Sequence, residues 1–505
     1  MTKALPIMIQ GTHSDAGKSI ITTGLCRIFY QDGYKTAPFK SQNMALNSYI
    51  TLDGKEIGRA QGVQAEAANT IATTDMNPIL IKPTCEQESQ IVVHGKPYKN
   101  MEAGSYRTDF FEKGLQLIKD SYKQLSENYE RIVIEGAGSP AEINLNDREL
   151  VNMRVANLAN APVILVGDIE KGGVFASLVG TLQLVSEEDR KRIIGVIINK
   201  FRGDVSLLTP GLDWFEEYTG VPVLGVIPYI HNLTIDAEDS VALNQYSHAE
   251  DRTKAIDIAV IRYPMISNFT DIDPFLSEPD CHVRFITKPE QLKQTDIIIL
   301  PGSKNTIEDL RFLKETGLMD KIISIYKSGK TKVVGICGGF QMLGESITDP
   351  NHIESSISFE TGMELLPIVT TITKEKTTTL SEGLIRIDGY EIPVEGYEIH
   401  MGQSTYKDSY TPLIVMDGRS DGCISTDRMI MGTYFHGIFH NDLFREKFIN
   451  EVRKMKGLGI LTGRDSFNQL REDAFDHLAS HLRKHVKLDY IYKKMEEFQT
   501  RGVSK

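Results

Sequence analysis

The sequence predicts an α/β protein built from two parallel-sheet domains. Three observations carry that expectation. Apolar runs at residues 5–10, 36–39, 131–134, 163–166, 193–198 and 223–227 alternate with helical stretches. Several of these runs are apolar throughout, as strands buried on both faces of a helix-covered parallel sheet should be. A polar stretch at 236–254, rich in Asp, Glu, Asn and Ser, then breaks the pattern, and a second apolar series follows at 256–261, 283–286, 297–300 and 332–336.

The expected division follows directly. A first domain spans 1–235, a linker 236–254, a second domain 255–450, and a helical extension with a polar tail 451–505. Segments 362–373, 395–402 and 429–435 alternate apolar and polar residues, so they are expected to form an antiparallel extension.

Composition narrows the class. Hydrophobic content of 41% and charged content of 25% are ordinary for a globular chain. A net charge of -12 argues against a general nucleic-acid or membrane-surface binder. No run of apolar residues is long enough to span a membrane. The opening residues pass straight into a strand, so no signal peptide is expected and a cytoplasmic enzyme is. The cysteines at 26, 85, 281, 337 and 423 are odd in number and lack Cys-x-x-Cys spacing. That excludes a zinc ribbon and argues against a disulfide scaffold. Small molecules are the expected partners, and an oligomer is compatible with the sequence.

The first chemical motif is Gly11-Thr12-His13-Ser14-Asp15-Ala16-Gly17-Lys18-Ser19. It follows a strand and opens a helix, where backbone amides and the helix dipole favour bound phosphate. Lys18 is placed to reach the outer phosphates of ATP, and the Ser19 hydroxyl to help hold Mg2+. Gly11 stands one place earlier than in the common G-x-x-x-x-G-K-[ST] loop, and Thr12 takes the first-glycine position. An ordinary strand-to-helix turn is the plain alternative. Gly11, Thr12, Asp15, Gly17, Lys18 and Ser19 are the candidate nucleotide contacts.

Glu135 ends the strand at 131–134 and is the candidate acidic ligand for Mg2+, with Asp168 a weaker one. Lys40 ends the second strand and is placed to neutralise a transferring phosphoryl group. Asn199 and Lys200 end a later strand and are candidates to face the nucleotide base. Each is equally readable as a solvated strand-end residue.

The second motif is Gly335-Ile336-Cys337-Gly338-Gly339. Cys337 follows a strand and opens a helix, a position that favours the thiolate. The flanking glycines permit a strained turn and close approach of substrate. Backbone amides near Cys337 and at Gly302-Ser303 are candidates for an oxyanion hole. A buried structural cysteine is the plain alternative. The sulfur needs a base, and His436, His400 and His440 all compete for that role.

Here the chain resembles known families. Gly335 to Gly344, reading Gly-Ile-Cys-Gly-Gly-Phe-Gln-Met-Leu-Gly, together with Tyr434-Phe435-His436-Gly437, is similar to a class I glutamine amidotransferase domain. The longer phosphate loop resembles that of dethiobiotin synthetase and its relatives, which phosphorylate carboxylates or carbamates. Most class I amidotransferases carry a glutamate two places after the catalytic histidine, and Ile438 stands there. That departure resembles the cobyrinic and cobyric acid synthase branch, and it leaves open what orients His436. Pro38-Phe39-Lys40-Ser41-Gln42-Asn43-Met44-Ala45-Leu46-Asn47-Ser48 is similar to a cobyric acid synthase signature. So are Glu135 to Glu142, Asp168 to Phe175 and Asn199 to Asp204, with Lys171 where arginine is expected. The resemblance covers residues 6–485.

The resemblance implies an activity. It is the ATP- and Mg2+-dependent amidation of carboxylates b, d, e and g of adenosylcobyrinic acid a,c-diamide, with nitrogen from glutamine. Cys337 and His436 are the implied catalytic pair. Ser41, Gln42, Asn43 and Asn47 are candidates to bind corrin side chains, or else a polar loop capping a helix. The rival activities are cobyrinic acid a,c-diamide synthesis and a non-catalytic MinD-like role, the latter giving Cys337 nothing to do.

One further cluster stands out. His477, His481 and His485 recur every four residues and align on one helix face. Leu478, Leu482 and Val486 beside them read as an amphipathic packing helix, and that reading is preferred to a metal site.

Overall fold

The computed structural model describes residues 4–84, 87–231, 233–236, 243, 249, 251, 253–387, 389–407 and 409–502. Most of the expected linker, and Cys85, lie outside the described residues. The chain forms two compact units. The first holds Met1–Ala45, Lys55–Ile235 and Arg471–Lys505; the second holds Leu46–Gly54 and Asp236–Leu470.

Unit 1 is built on six parallel strands. They are β1 (Leu5–Gly11), β2 (Thr36–Phe39), β3 (Arg131–Glu135), β4 (Val163–Asp168), β5 (Ile193–Phe201) and β6 (Val223–Pro228). Their order across the sheet is β6-β5-β4-β1-β3-β2. Strands β1, β3 and β4 are buried along their whole length, which explains their unbroken apolar sequence. The chain order reverses on either side of β1, so the loop after β1 opens into the crevice where such sheets bind ligands. Helix α1 (Lys18–Gln31) leaves that loop.

The sequence missed one layer of this unit. Gln42–Met44, Ile79–Pro83, Glu88–Val93 and Lys96–Glu102 form a separate four-stranded sheet. Its strands are short and its last one is largely exposed, so no apolar run announced it.

The C-terminal chain also departs from expectation. Residues 471–505 are not an appendage but part of unit 1. Phe475, Leu478, Ala479, Leu482, Ile491 and Met495 enter the same core as Ile7, Ile9 and Leu25. The cause is local geometry: Gly24 on α1 has no side chain, and Leu478 and Leu482 fill the space a Cβ would need. The histidine row lies on α3 (Phe467–His485), where His481 Nε2 sits 3.1 Å from the Pro228 carbonyl. Among the described residues no group of three or more His, Cys, Asp or Glu is placed to hold a metal ion. A last helix, α4 (Leu488–Gly502), completes this face.

Unit 2 repeats the principle. Strands β7 (Ile256–Ile261), β8 (Cys281–Ile286), β9 (Ile297–Leu300), β10 (Lys332–Ile336) and β13 (Ile430–Thr433) lie parallel in the order β8-β7-β9-β10-β13. Helix α2 (Gly338–Leu343) follows β10. Strands β11 (Ile368–Ile387) and β12 (Tyr390–Tyr406) form a long antiparallel hairpin, as their alternation suggested. The segment expected as antiparallel at 429–435 splits instead. Ile430–Thr433 joins the parallel sheet beside β10, while Phe435–His436 pairs antiparallel with β12. No described helix is long and apolar enough to cross a membrane.

Candidate active sites

Unit 2 holds the sulfur site. Cys337 ends β10 and caps α2 with φ of 52 and ψ of -106, a conformation costly for any residue with a side chain. The surrounding chain holds it there. The Cys337 amide donates to the Thr433 carbonyl at 2.8 Å, and the Gly339 amide donates to that of Pro301 at 3.0 Å. A Cβ on Gly339 would collide with the Leu300 carbonyl, and one on Gly338 would lie 2.7 Å from the Ser303 amide nitrogen. The glycines are therefore required by close backbone approach, and they bring the Ser303 amide against the nucleophile turn.

The three candidate histidines differ in their surroundings. His436 is fully buried, and its Nδ1 lies 2.7 Å from Asp271 Oδ2. The other Asp271 oxygen accepts from the Gly437 amide at 2.7 Å. Tyr397 stacks on the His436 ring at 5.0 Å between centroids, tilted by 13°. Burial lowers the His436 pKa, but the Asp271 charge and hydrogen bond, joined by the Cys337 thiol, outweigh it and raise it to about 10. With Nδ1 on Asp271, Nε2 is the nitrogen left for the sulfur. His400 is committed elsewhere: its Nδ1 faces the Gly402 carbonyl at 2.8 Å and its Nε2 lies 3.5 Å from Glu398. His440 faces the Thr270 carbonyl at 3.2 Å.

Asp271 is the residue that sequence reading missed. It sits in the 3-10 turn Phe269–Ile272, 1% exposed, and places a carboxylate on the His436 ring, while Ile438 stands two places after that histidine. The Cys337 thiol also donates to the Ile399 carbonyl at 3.6 Å. The other described cysteines differ in kind. Burial pushes the thiols of Cys26 and Cys281 far up, and that of Cys423 up to about 12, so they are inert packing groups.

Unit 1 holds the phosphate loop. Thr12 donates its amide to the Val166 carbonyl at 2.9 Å, anchoring the loop to β4. Asp15 has φ of 59 and Gly17 has φ of 100, so the chain curls with its amides inward before α1 begins. Gly11 permits the same closeness, since a Cβ there would stand 2.9 Å from the His13 carbonyl and 3.1 Å from Lys18 Nζ. Lys18 Nζ itself donates to the carbonyls of His13 at 3.0 Å and Gly138 at 3.2 Å, across the mouth of the loop.

Two sequence candidates, Ser19 and Lys40, converge on a third, the Glu135 carboxylate. Glu135, 1% exposed, accepts at Oε1 from Ser19 Oγ and from Lys40 Nζ, each at 2.8 Å. Gln64 donates to its other oxygen. A hydroxyl and a carboxylate beside a phosphate loop are the hard oxygen donors Mg2+ selects, with phosphate oxygens completing its shell. The residues present therefore fit that ion.

Asn199 braces the loop. Its Nδ2 donates to the Ala16 carbonyl at 3.0 Å, and it fills the space beside Gly17. Lys200 ties the Asp15 carbonyl to Asp168, both at 2.8 Å. Ser41 and Asn43 are buried on protein partners, the Leu150 carbonyl and Gln61. Gln42, between them, is half-buried.

The chain is similar to known proteins in both halves. Residues 7–241 match the CobQ/CobB/MinD/ParA nucleotide binding domain, and residues 257–444 the CobB/CobQ-like glutamine amidotransferase domain. The chain is 64% identical over 503 residues to the cobyric acid synthase of Geobacillus sp. (strain WCH70), covering 100% of each chain. It is 63% identical over 499 residues to that of Anoxybacillus flavithermus (strain DSM 21510 / WK1), covering 99% of each. It is 48% identical over 508 residues to that of Clostridium novyi (strain NT), covering 98% of each. With an amidotransferase domain following a nucleotide-binding domain in one chain, the protein is an amidotransferase ligase, and it belongs to the cobyric acid synthase family.

Proposed function

We propose that this enzyme amidates carboxylates b, d, e and g of adenosylcobyrinic acid a,c-diamide, taking nitrogen from glutamine and activating each acid with ATP and Mg2+. The observation that carries this reading is the set Cys337, His436 and Asp271 in one chain with the loop ending at Lys18 and Ser19.

The two half-reactions divide by unit. Cys337 Sγ attacks the glutamine amide carbon while His436 Nε2 takes the thiol proton. Asp271 holds the ring and offsets the charge of the imidazolium, which its raised pKa favours. The carbon–nitrogen bond breaks as His436 returns that proton to the leaving ammonia. Water then hydrolyses the thioester to glutamate. The Ser303 amide, close to Gly338, would take the oxyanion.

In unit 1 a substrate carboxylate oxygen attacks the γ-phosphorus of ATP, and ADP leaves. Lys18 and Lys40 offset charge during transfer; Ser19 and Glu135 would hold Mg2+, which would supply further neutralisation of phosphate charge. Ammonia then displaces phosphate from the acyl phosphate to give the amide. A reaction fed by ATP and glutamine fits the cytoplasm.

Mass spectrometry tests the reading. Cobyrinic acid a,c-diamide incubated with enzyme, ATP, Mg2+ and glutamine should show four successive carboxyl-to-carboxamide changes. Turnover of unamidated cobyrinic acid at a and c alone would favour the diamide synthase instead.

A further inference from the structure

The chain leaves unit 1 after Ala45 and rejoins it at Lys55. The residues between, Leu46–Gly54, belong to unit 2. Their contacts there fall on the immediate neighbours of the sulfur site. The Ser48 amide donates to Asn268 Oδ1 at 2.8 Å. Asn268 opens the turn that carries Asp271, with φ of 50, and its carbonyl accepts from the Asp271 amide at 3.3 Å. Ile50, 4% exposed, forms a separate apolar cluster with Tyr397 and Ile399. Tyr397 is the ring stacked on His436, and Ile399 supplies the carbonyl that receives the Cys337 thiol.

One short segment thus abuts a neighbour of each of Asp271, His436 and Cys337. Nothing in the chemistry of the segment itself suits it to react with glutamine. We propose that Leu46–Gly54 is a positioning strap for the glutaminase site, with Ser48 and Ile50 as its positioning residues. Ser48 fixes the entry to the Asp271 turn, and Ile50 wedges Tyr397 against the imidazole. The strap lies far from the rest of unit 2 in sequence but packs within it. The inference rests on the amidotransferase reading, but its test reads the sulfur site alone.

The test uses full-length Ile50→Ala, Ile50→Val and Ser48→Pro variants without any corrinoid. Two quantities are measured: glutamate release from glutamine, and the pH profile of Cys337 alkylation by iodoacetamide. Ile50→Ala and Ser48→Pro should lower kcat for glutamine hydrolysis roughly ten- to a hundredfold, the scale of a small misplacement of reacting groups. KM should change less, the alkylation profile should shift along the pH axis, and Ile50→Val should restore both. Unchanged hydrolysis and an unchanged alkylation profile in both Ile50→Ala and Ser48→Pro would overturn the proposal. So would a loss in which melting temperature falls and the alkylation profile stays put, because that marks simple destabilisation. Failure of the corrin reading would instead appear as wild-type enzyme that hydrolyses glutamine yet never amidates the corrinoid.

Discussion

His436 Nδ1 meets Asp271 Oδ2 at 2.7 Å although 165 residues separate them in the chain. The carboxylate on His436 comes from a distant turn, while Ile438 stands two places after the histidine. The turn Phe269–Ile272 and the strand pair ending at His436 are both parts of unit 2, so the orientation is set by that unit's own packing.

Asp271→Asn should leave the fold intact and lower kcat for glutamine hydrolysis by roughly 10²- to 10⁴-fold, the scale seen when a triad carboxylate is neutralised. Steady-state glutamate release measures it. A variant within twofold of wild type would remove Asp271 from the mechanism.

The same pair predicts a pH dependence of stability. The folded pKa of His436 is raised from 6.5 to about 10. Its contribution is therefore fully present below about pH 6.5 and is lost as pH rises through about 10. Urea unfolding of the wild type should show stability falling between those limits, and Asp271→Asn should flatten that fall. An equal slope in both proteins would assign the dependence to other groups.

Cys337→Ala should abolish glutamine-dependent amidation and spare amidation with added ammonium. Product analysis with each nitrogen source decides it. Loss of both activities would mean the two half-reactions do not run at separable sites.

Ser19→Ala and Glu135→Gln should do the reverse. Amidation should fall with glutamine and with ammonium alike, by at least the roughly 10- to 100-fold typical of weakened metal sites, while glutamine hydrolysis persists. Raising Mg2+ should partly rescue Ser19→Ala. Normal ADP formation in Glu135→Gln would sink the assignment.

Leu478→Ala and Leu482→Ala should each destabilise unit 1 by about 2–5 kcal/mol, because both side chains are essentially fully buried against α1. Chemical denaturation measures the cost. Values near zero would mean that the C-terminal helices are dispensable to that core.

Much of this was legible beforehand. The unbroken apolar strands, the Gly-Lys-Ser turn and the Gly-Cys-Gly-Gly turn are local patterns, and each sits where its chemistry requires. Glu135, Lys40 and Ser19 were separate candidates that one crevice brings together. Asp271 left no comparable mark: an aspartate in Asn268-Phe269-Thr270-Asp271-Ile272-Asp273 reads as an ordinary turn residue. Asn199 carried a signal, a strand end beside the loop, but not its direction, which depends on the space left by Gly17.

By itself the sequence determined the elements that depend on near neighbours: strands, glycine turns, the sulfur and the phosphate loop. Only the tertiary structure decided that His436 is the histidine held by Asp271, what His400 and His440 face instead, and that the last helices close the first core. Those choices depend on who is buried beside whom, and burial joins residues whose separation along the chain carries no pattern.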